Sequence, residues 1–227
     1  MTIDYTLKRN SRTRQVKLSM SQRGLTLIVP VRFNEKYIAS ILEKHKPWIE
    51  EQYAIYANKV SKDCLPKKIT LAALNEIWEI QYIKTNRKSI QLFKREHYEL
   101  VLMGDISNQT KCRKILLSWL REQAQIYLVL WLNEMSRKTQ LKFNEVCIRS
   151  QQTRFGSCSY KKNISLNDRL LFLPKELVSY VILHELCHTK HLNHSASFWE
   201  LLATWDPDYR EHRRALLKSH SFMPIWI

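Results

Sequence analysis

Apolar and polar residues alternate through the first third of the chain. Ile3–Lys8, Gln15–Met20 and Leu25–Val29 place apolar side chains at every second position, which predicts three strands with Ser21–Gly24 as a turn. Asn34 suits the N-cap of a short helix to about Lys44, and Pro47 opens a second helix through about Val60. After a polar, proline-bearing break at Ser61–Lys68, alternation returns in Ile77–Ile83, Ser89–Lys94 and Glu99–Met103, which read as further strands. From Lys111 to about Thr139 the period changes to that of a helix. Asn144–Ser150 and Ile164–Asn167 are then expected as short strands flanking a Gly156–Ser159 loop.

A last helical pattern starts at Pro174, a good first helical residue, with Glu176 in the first turn. Leu177, Val178, Val181, Ile182 and Leu186 recur at helical spacing and predict an amphipathic helix of about 18 residues through Leu192. Ser195 can cap the next helix, as can Ser197 in a Ser-x-x-Glu box with Glu200, and Phe198 and Trp199 are expected to anchor it in the core. No repeat or low-complexity tract interrupts this order. The expected class is α+β, with a β-rich portion carrying two helices over 1–110 and a helical portion with a short antiparallel sheet over 111–227.

Composition narrows the classes. The longest apolar run, Ile126–Leu132, is far short of the roughly 18 residues of a membrane span. The opening Met-Thr-Ile-Asp-Tyr lacks the pattern of a secretory signal. Cys64, Cys112, Cys147, Cys158 and Cys187 are odd in number and without CxxC spacing, so they read as reduced thiols of a cytoplasmic protein. The formal charge of +16 is scattered, through Lys8, Arg9, Arg12 and Arg14, then Lys67–Lys68, Arg87–Lys88, Lys94–Arg95 and Arg213–Arg214. It attracts polyanions such as nucleic acid non-specifically and leaves open whether a functional anionic partner exists.

The chemistry concentrates in residues 184–194, His-Glu-Leu-Cys-His-Thr-Lys-His-Leu-Asn-His, which hold four of the eight histidines. His184 and His188 lie four apart, so on a helix both imidazoles face one way and can share a Zn²⁺. Glu185 stands where it can hold and deprotonate a water at the metal. A catalytic zinc takes a third protein ligand and keeps one position open. His191 lies about 10 Å along a continuing helix from His184, out of reach of that metal. His194 can return to it if the helix stops after about Leu192, and Asn193 suits the left-handed conformation of such a stop. Cys187 points off the ligand face and reads as a small packing residue.

Four segments then carry a resemblance: Thr-Arg-Phe-Gly-Ser-Cys-Ser (153–159), Asn-Ile-Ser-Leu-Asn (163–167), Tyr-Val-Ile-Leu-His-Glu-Leu-Cys-His (180–188) and Asn-His-Ser-Ala-Ser-Phe-Trp (193–199). Together they resemble the YgjP-like metal-dependent hydrolases, within a wider group of zinc metallopeptidase-like domains that includes SprT-like and WLM proteins. Residues 14–20, Lys-Pro-Trp-Ile at 46–49 and the Trp119–Trp131 helix have counterparts there too. Phe155 departs from the family's usual tryptophan but keeps an aromatic, and the lack of glycine at 191 separates the chain from the metzincins. The resemblance implies a zincin-like fold and makes peptide hydrolysis the first choice of reaction.

The expected function is therefore a cytoplasmic zinc hydrolase acting on a peptide or protein, with His184, His188 and His194 on the metal and Glu185 as general base. Gly156 to Asn167 can supply an edge strand that pairs with extended substrate, and Arg154, Gly156, Asn163 and Asn167 are candidate contacts. Gly156 as a plain turn and Asn167 as a loop-capping amide are equally open. Tyr209 and His212 are candidates for stabilising the oxyanion. Two alternatives remain: a nucleoside triphosphate (UTP) pyrophosphohydrolase, and a nucleic-acid-associated module with mainly structural zinc, in which Cys158 is the nearby thiol able to close the coordination.

Overall fold

The computed structural model describes residues 4–21, 24–57, 65–151, 153–224 and 226. Gln22 and Arg23 of the expected turn at Ser21–Gly24, the end of the helix expected to Val60, and residues 61–64 of the Ser61–Lys68 break, Cys64 among them, lie outside the described residues. Contacts divide the chain into two compact units, Met1–Asp63 and Cys64–Ile227. The change from strand-rich to helical pattern near residue 110 falls inside the second unit.

In the first unit, alternation produces β1 (Tyr5–Arg9), β2 (Lys17–Ser21) and β3 (Gly24–Val29). They form a sheet of order β1-β3-β2, with β1 parallel and β2 antiparallel to β3. Period two gives β3 one buried face, Leu25, Leu27 and Val29, onto which α1 (Ile38–Lys44) brings Ile38 and α2 (Lys46–Ala57) brings Ile49.

The second unit opens with β4 (Lys68–Leu71), β5 (Glu76–Lys84), β6 (Gln91–Arg95) and β7 (Glu99–Gly104), a sheet of order β4-β5-β7-β6. Of these, β4 is not anticipated by the sequence pattern. Helix α3 (Gln109–Thr139) follows, capped by the Asn108 side chain on Lys111 N–H at 3.0 Å and closed by Gln140 in the left-handed region. It buries Cys112, Leu116, Trp119, Leu120, Ala124, Leu128 and Leu132, and Trp119 meets Trp78 of β5 edge-on at 5.0 Å.

Next, β8 (Val146–Arg149), β9 (Gly156–Cys158) and β10 (Ile164–Asn167) form a short sheet of order β8-β10-β9. The β9–β10 pairing is antiparallel, and β8 joins β10 in parallel. Residues read as a Gly156–Ser159 loop thus include an edge strand.

Helix α4 (Lys175–Cys187) corrects two expectations. It ends at Cys187, with His188 as C-cap, five residues short of Leu192, and Pro174 stands outside it as N-cap. Nor is its burial limited to the one apolar face of an amphipathic helix: Leu177, Val178, Tyr180, Val181, Ile182, Leu183, Leu186 and Cys187 are all buried. The reason is its position among α3, β9, β10, α5 (Ala196–Trp205) and α6 (Tyr209–Leu217), all of which contact it. Helix α5 starts at Ser195 by backbone bonding alone, so the Ser197–Glu200 box is not its cap. Among the described residues no helix is long and apolar enough to cross a membrane.

Candidate metal centre

Helix geometry stacks His184 and His188 one turn apart on α4, with their Nε2 atoms 3.2 Å apart. The chain then leaves the helix in a tight turn. The Thr189 hydroxyl donates to Leu186 O at 2.7 Å, and the N–H groups of Lys190 and His191 both reach Cys187 O. Asn193 is not in the left-handed conformation expected of it. The early stop at Cys187 makes that conformation unnecessary, because six residues remain in which to turn the chain back.

That return brings His194 Nε2 to 3.0 Å from His184 Nε2, and the ligand atoms of His184, His188 and His194 all lie within 4.8 Å of one another. His191 contributes its backbone instead: His188 Nδ1 lies 2.9 Å from the His191 carbonyl oxygen. A carbonyl only accepts, so Nδ1 carries the proton and Nε2 presents its lone pair to the cluster.

Three imidazole nitrogens this close need something positive between them. Burial foremost, then His188, His194 and Arg213, pushes His184 down to about 3, and burial also lowers His194. His184 is therefore held neutral at physiological pH, the state that a metal ion requires. Tetrahedral zinc with Zn–N bonds of about 2.0–2.1 Å separates its ligand nitrogens by about 3.3–3.4 Å. The observed 3.0 and 3.2 Å are close to that, so the donor set fits a divalent ion. Around it, the Phe198 ring lies 4.6–5.0 Å from each imidazole and Trp199 stacks on His194 at 5.3 Å. Both were expected as core residues only; Phe198 is buried, yet together they wall the cluster.

Glu185 is 5% exposed, and its Oε2 has no hydrogen-bond partner among the described residues. Burial raises its carboxyl to about 8, against an opposing pull from Arg154. Its neighbour explains Gly156. A Cβ there would lie 2.7 Å from both Glu185 Cγ and Oε1, so glycine is required by the close approach of the carboxylate to β9 and not by a turn.

The remaining candidates separate. Arg154 is exposed, and its charge acts on Glu185. Asn167 is 2% exposed and spends its amide on structure, donating to Gln151 O and Arg154 O at 2.7 Å each and accepting from Arg169 N–H. This is the loop-capping role. Asn163 lies at the β9–β10 turn, donating to Glu145 Oε2 at 3.1 Å, about 10 Å along the strands from Gly156. The structure does not bring it to the histidines. Cys158 has burial, and then the Glu185 charge, pushing its thiol up to about 11, and it is not among the clustered ligands. Cys187 is fully buried, as a packing residue should be.

Backbone pairing leaves one more feature. Asn167 N–H donates to Phe155 O and Ser159 N–H to Asn163 O, so Phe155, Ser157 and Ser159 face β10. Alternation turns the backbone groups of Gly156 and Cys158 toward the open edge of the sheet.

Tyr180, Asp206 and Arg213 adjoin the cluster without having been read as site residues from the sequence, and the oxyanion candidates Tyr209 and His212 lie among them. Tyr180, one turn before His184, lies 5.9 Å from it ring to ring; its i−4 spacing is the signal that was there to use. Asp206 accepts from His212 Nδ1 at 2.8 Å, and His212 lies 6.3 Å from Tyr180. Tyr209 stacks on Trp199 at 5.5 Å, and Arg213 lies over the same indole. Nothing local in the sequence announces these last contacts.

A family model described as YgjP-like, metallopeptidase domain, matches residues 14–220. Among solved structures, the chain is similar to the metallopeptidase zymogen abylysin of Pyrococcus abyssi, at 24% identity and TM-score 0.38. It is also similar to the zymogen jannalysin of Methanocaldococcus jannaschii, at 24% identity and TM-score 0.37. Each match covers 40% of this chain, with 93% of abylysin and 95% of jannalysin. No curated protein gives a significant match.

Proposed function

We propose that this chain, which belongs to the YgjP-like metallopeptidase-domain family, is a zinc-dependent peptide hydrolase whose general base is Glu185. Family membership makes it a metallohydrolase of the peptidase kind. The reading of zinc, mechanism and substrate goes further. The observation that carries it is the convergence of three imidazole nitrogens beside a buried, partly unpartnered carboxylate.

His184, His188 and His194 would hold the ion through Nε2 and leave one position open, the arrangement of a catalytic site and not of a closed structural one. Zinc, when bound, supplies Lewis-acid polarisation of a water and of the scissile carbonyl. Glu185 takes the proton of the attacking water and returns it to the leaving amine. Its desolvated setting raises its basicity, which suits proton transfer near neutral pH. Gly156 keeps β9 close enough to confine the carboxylate. The outward backbone groups of Gly156 and Cys158 offer an extended peptide two residues of edge pairing. The free thiols of Cys112, Cys147, Cys158 and Cys187 suit a reducing compartment, and we place the protein in the cytoplasm.

The test is turnover of a peptide library by zinc-loaded protein, alongside Glu185→Gln. The variant should keep its zinc and lose a factor on the order of 10²–10⁴ in rate, the usual worth of a general base. Equal turnover by both proteins, on a substrate that needs zinc, sinks the mechanism. Zinc-dependent release of pyrophosphate from UTP with no peptide cleavage would replace the substrate class.

A further inference from the structure

Helix α6 carries three arginines, of which Arg213 lies over an aromatic ring of the metal centre, and their commitments differ. Arg214 pairs with Glu211 at 3.8 Å. Arg210 donates from Nε to the Tyr209 hydroxyl at 3.2 Å. Asp206, the buried acid nearby, is taken by His212 at 2.8 and 3.1 Å. Arg213 is exposed and has no acidic partner among the described residues. Its guanidinium is held 5.0 Å over the Trp199 ring, and Trp199 stacks on His194 at 5.3 Å with 21° between planes. A cation is thereby fixed one aromatic ring away from a histidine of the metal centre.

That placement is costly for the centre itself. A positive charge held one ring away from His194 opposes a metal cation bound by that histidine. Arg154, two residues before the Gly156 that meets the Glu185 carboxylate, is a second exposed guanidinium with no ion pair among the described residues. Two uncommitted guanidinia next to a cation site make electrostatic sense when an anion arrives with the substrate. Arginine is suited to the task because its face can rest on an indole while its edge N–H groups stay free to grip a carboxylate.

We propose that Arg213, with Arg154 on the Glu185 side, selects peptides that carry a carboxylate beside the scissile bond, so that acidic peptides are the substrate class. The inference rests on the peptide-hydrolase reading above and names its substrate. The aromatic group argues for a peptide over a nucleotide: the Trp199 ring already carries His194, Tyr209 and Arg213, which leaves no bare face for a nucleobase to stack on.

Binding can be tested apart from turnover, using zinc-loaded Glu185→Gln protein and fluorescein-labelled peptides of one length that differ only in Glu, Gln or Lys flanking the central bond. Fluorescence anisotropy should show the Glu peptide bound about tenfold more tightly than the Gln peptide, the worth of one charge-assisted pair, with the preference shrinking as salt rises. Arg213→Gln in that background should bring the Glu peptide to the level of the Gln peptide, Arg213→Lys should keep part of the preference, and Arg213→Glu should favour the Lys peptide. Should Arg213→Gln fail to fold in a thermal melt, the Lys variant and the salt series decide. Equal affinity for all three peptides overturns the proposal, as does an acidic preference untouched by Arg213→Gln or competition by nucleoside triphosphates without peptide binding. The hydrolase reading fails separately, if wild type cleaves no peptide or matches Glu185→Gln.

Discussion

Helices α3 and α4 pack in the same unit and follow opposite rules. Helix α3 is 31 residues long, has a side-chain cap at its start and a left-handed stop at its end, and buries one face at helical spacing while the other meets solvent. Helix α4 has thirteen residues, nine of them buried, and no side-chain cap hydrogen bond at its start. It also carries Glu185 inside the fold, directly after a histidine of the cluster. The extent of α3 is accounted for by its own period and caps. The residues of α4 make sense only through what surrounds them, and a helix that violates local economy in this way is where a site belongs.

The comparison predicts a division of labour: damage to α4 and its return loop should remove metal and chemistry, whereas damage to α3 should remove stability. The largest effect is expected from His194→Ala. Zinc affinity, measured by competition with a chelator, should fall by more than the roughly 10–100-fold typical of a lost outer-shell partner. His191→Ala keeps the carbonyl that His188 uses and should cost little. If the two variants behave the other way round, the ligand set is wrong.

On the α3 side, Trp119→Ala should cost about 3–5 kcal/mol in chemical denaturation, since the ring is fully buried against Trp78. Zinc bound per folded chain should not change. A Trp119→Ala protein that stays folded but loses its metal would dissolve the contrast between the helices.

Gly156→Ala sharpens the α4 side. The added Cβ must push the Glu185 carboxylate away, and a displacement of about 1 Å is worth on the order of 10²-fold in turnover. Zinc content and melting temperature should move little by comparison. Turnover at the wild-type level would mean that the carboxylate does not need its confinement.

Burial of Glu185 also predicts a pH dependence for the metal-free protein. Its folded carboxyl titrates at about 8, raised from 4.5, so the native state binds the proton more tightly than the unfolded chain does. That contribution to stability is fully present below 4.5, declines as pH rises, and is gone above about 8. Melts of the metal-free protein should therefore show stability falling from pH 5 to pH 8 by more than in Glu185→Gln. Parallel pH profiles in the two proteins would contradict it.

The smallest effect belongs to the start of α3. Asn108→Ala removes the bond to Lys111 N–H and should cost about 1 kcal/mol, with metal affinity and turnover unchanged.

Much of this architecture was legible from the sequence, and unevenly so. Alternation located β3 and β5 because each buries every second residue along one face, and α3 was legible to within two residues of its start. Strand β4 was missed because its four residues abut a polar break. For α4 the start of the pattern was right and the extent was not. Periodicity in Leu177–Leu186 cannot say whether the polar residues beyond it continue the helix. Asn167 illustrates the same limit: an amide next to a metal-site segment suits substrate and loop equally until its three backbone partners are seen.

The sequence by itself determined the quantities that depend on spacing. Two histidines four apart share a helical face whatever the rest of the chain does, and so the candidate metal pair and the glutamate beside it were readable in advance. Helix rise already favoured His194 over His191 on condition that the helix stopped. The folded chain supplied the stop, since the Thr189 hydroxyl and the backbone turn at Cys187 close the helix early and send His194 back. The tertiary structure also decided that Glu185 is buried against Gly156 and that Arg213 rests on Trp199 without an acidic partner among the described residues. Helical period is a property of neighbours in sequence. Desolvation and charge pairing are set by residues that are distant along the chain and adjacent only after folding.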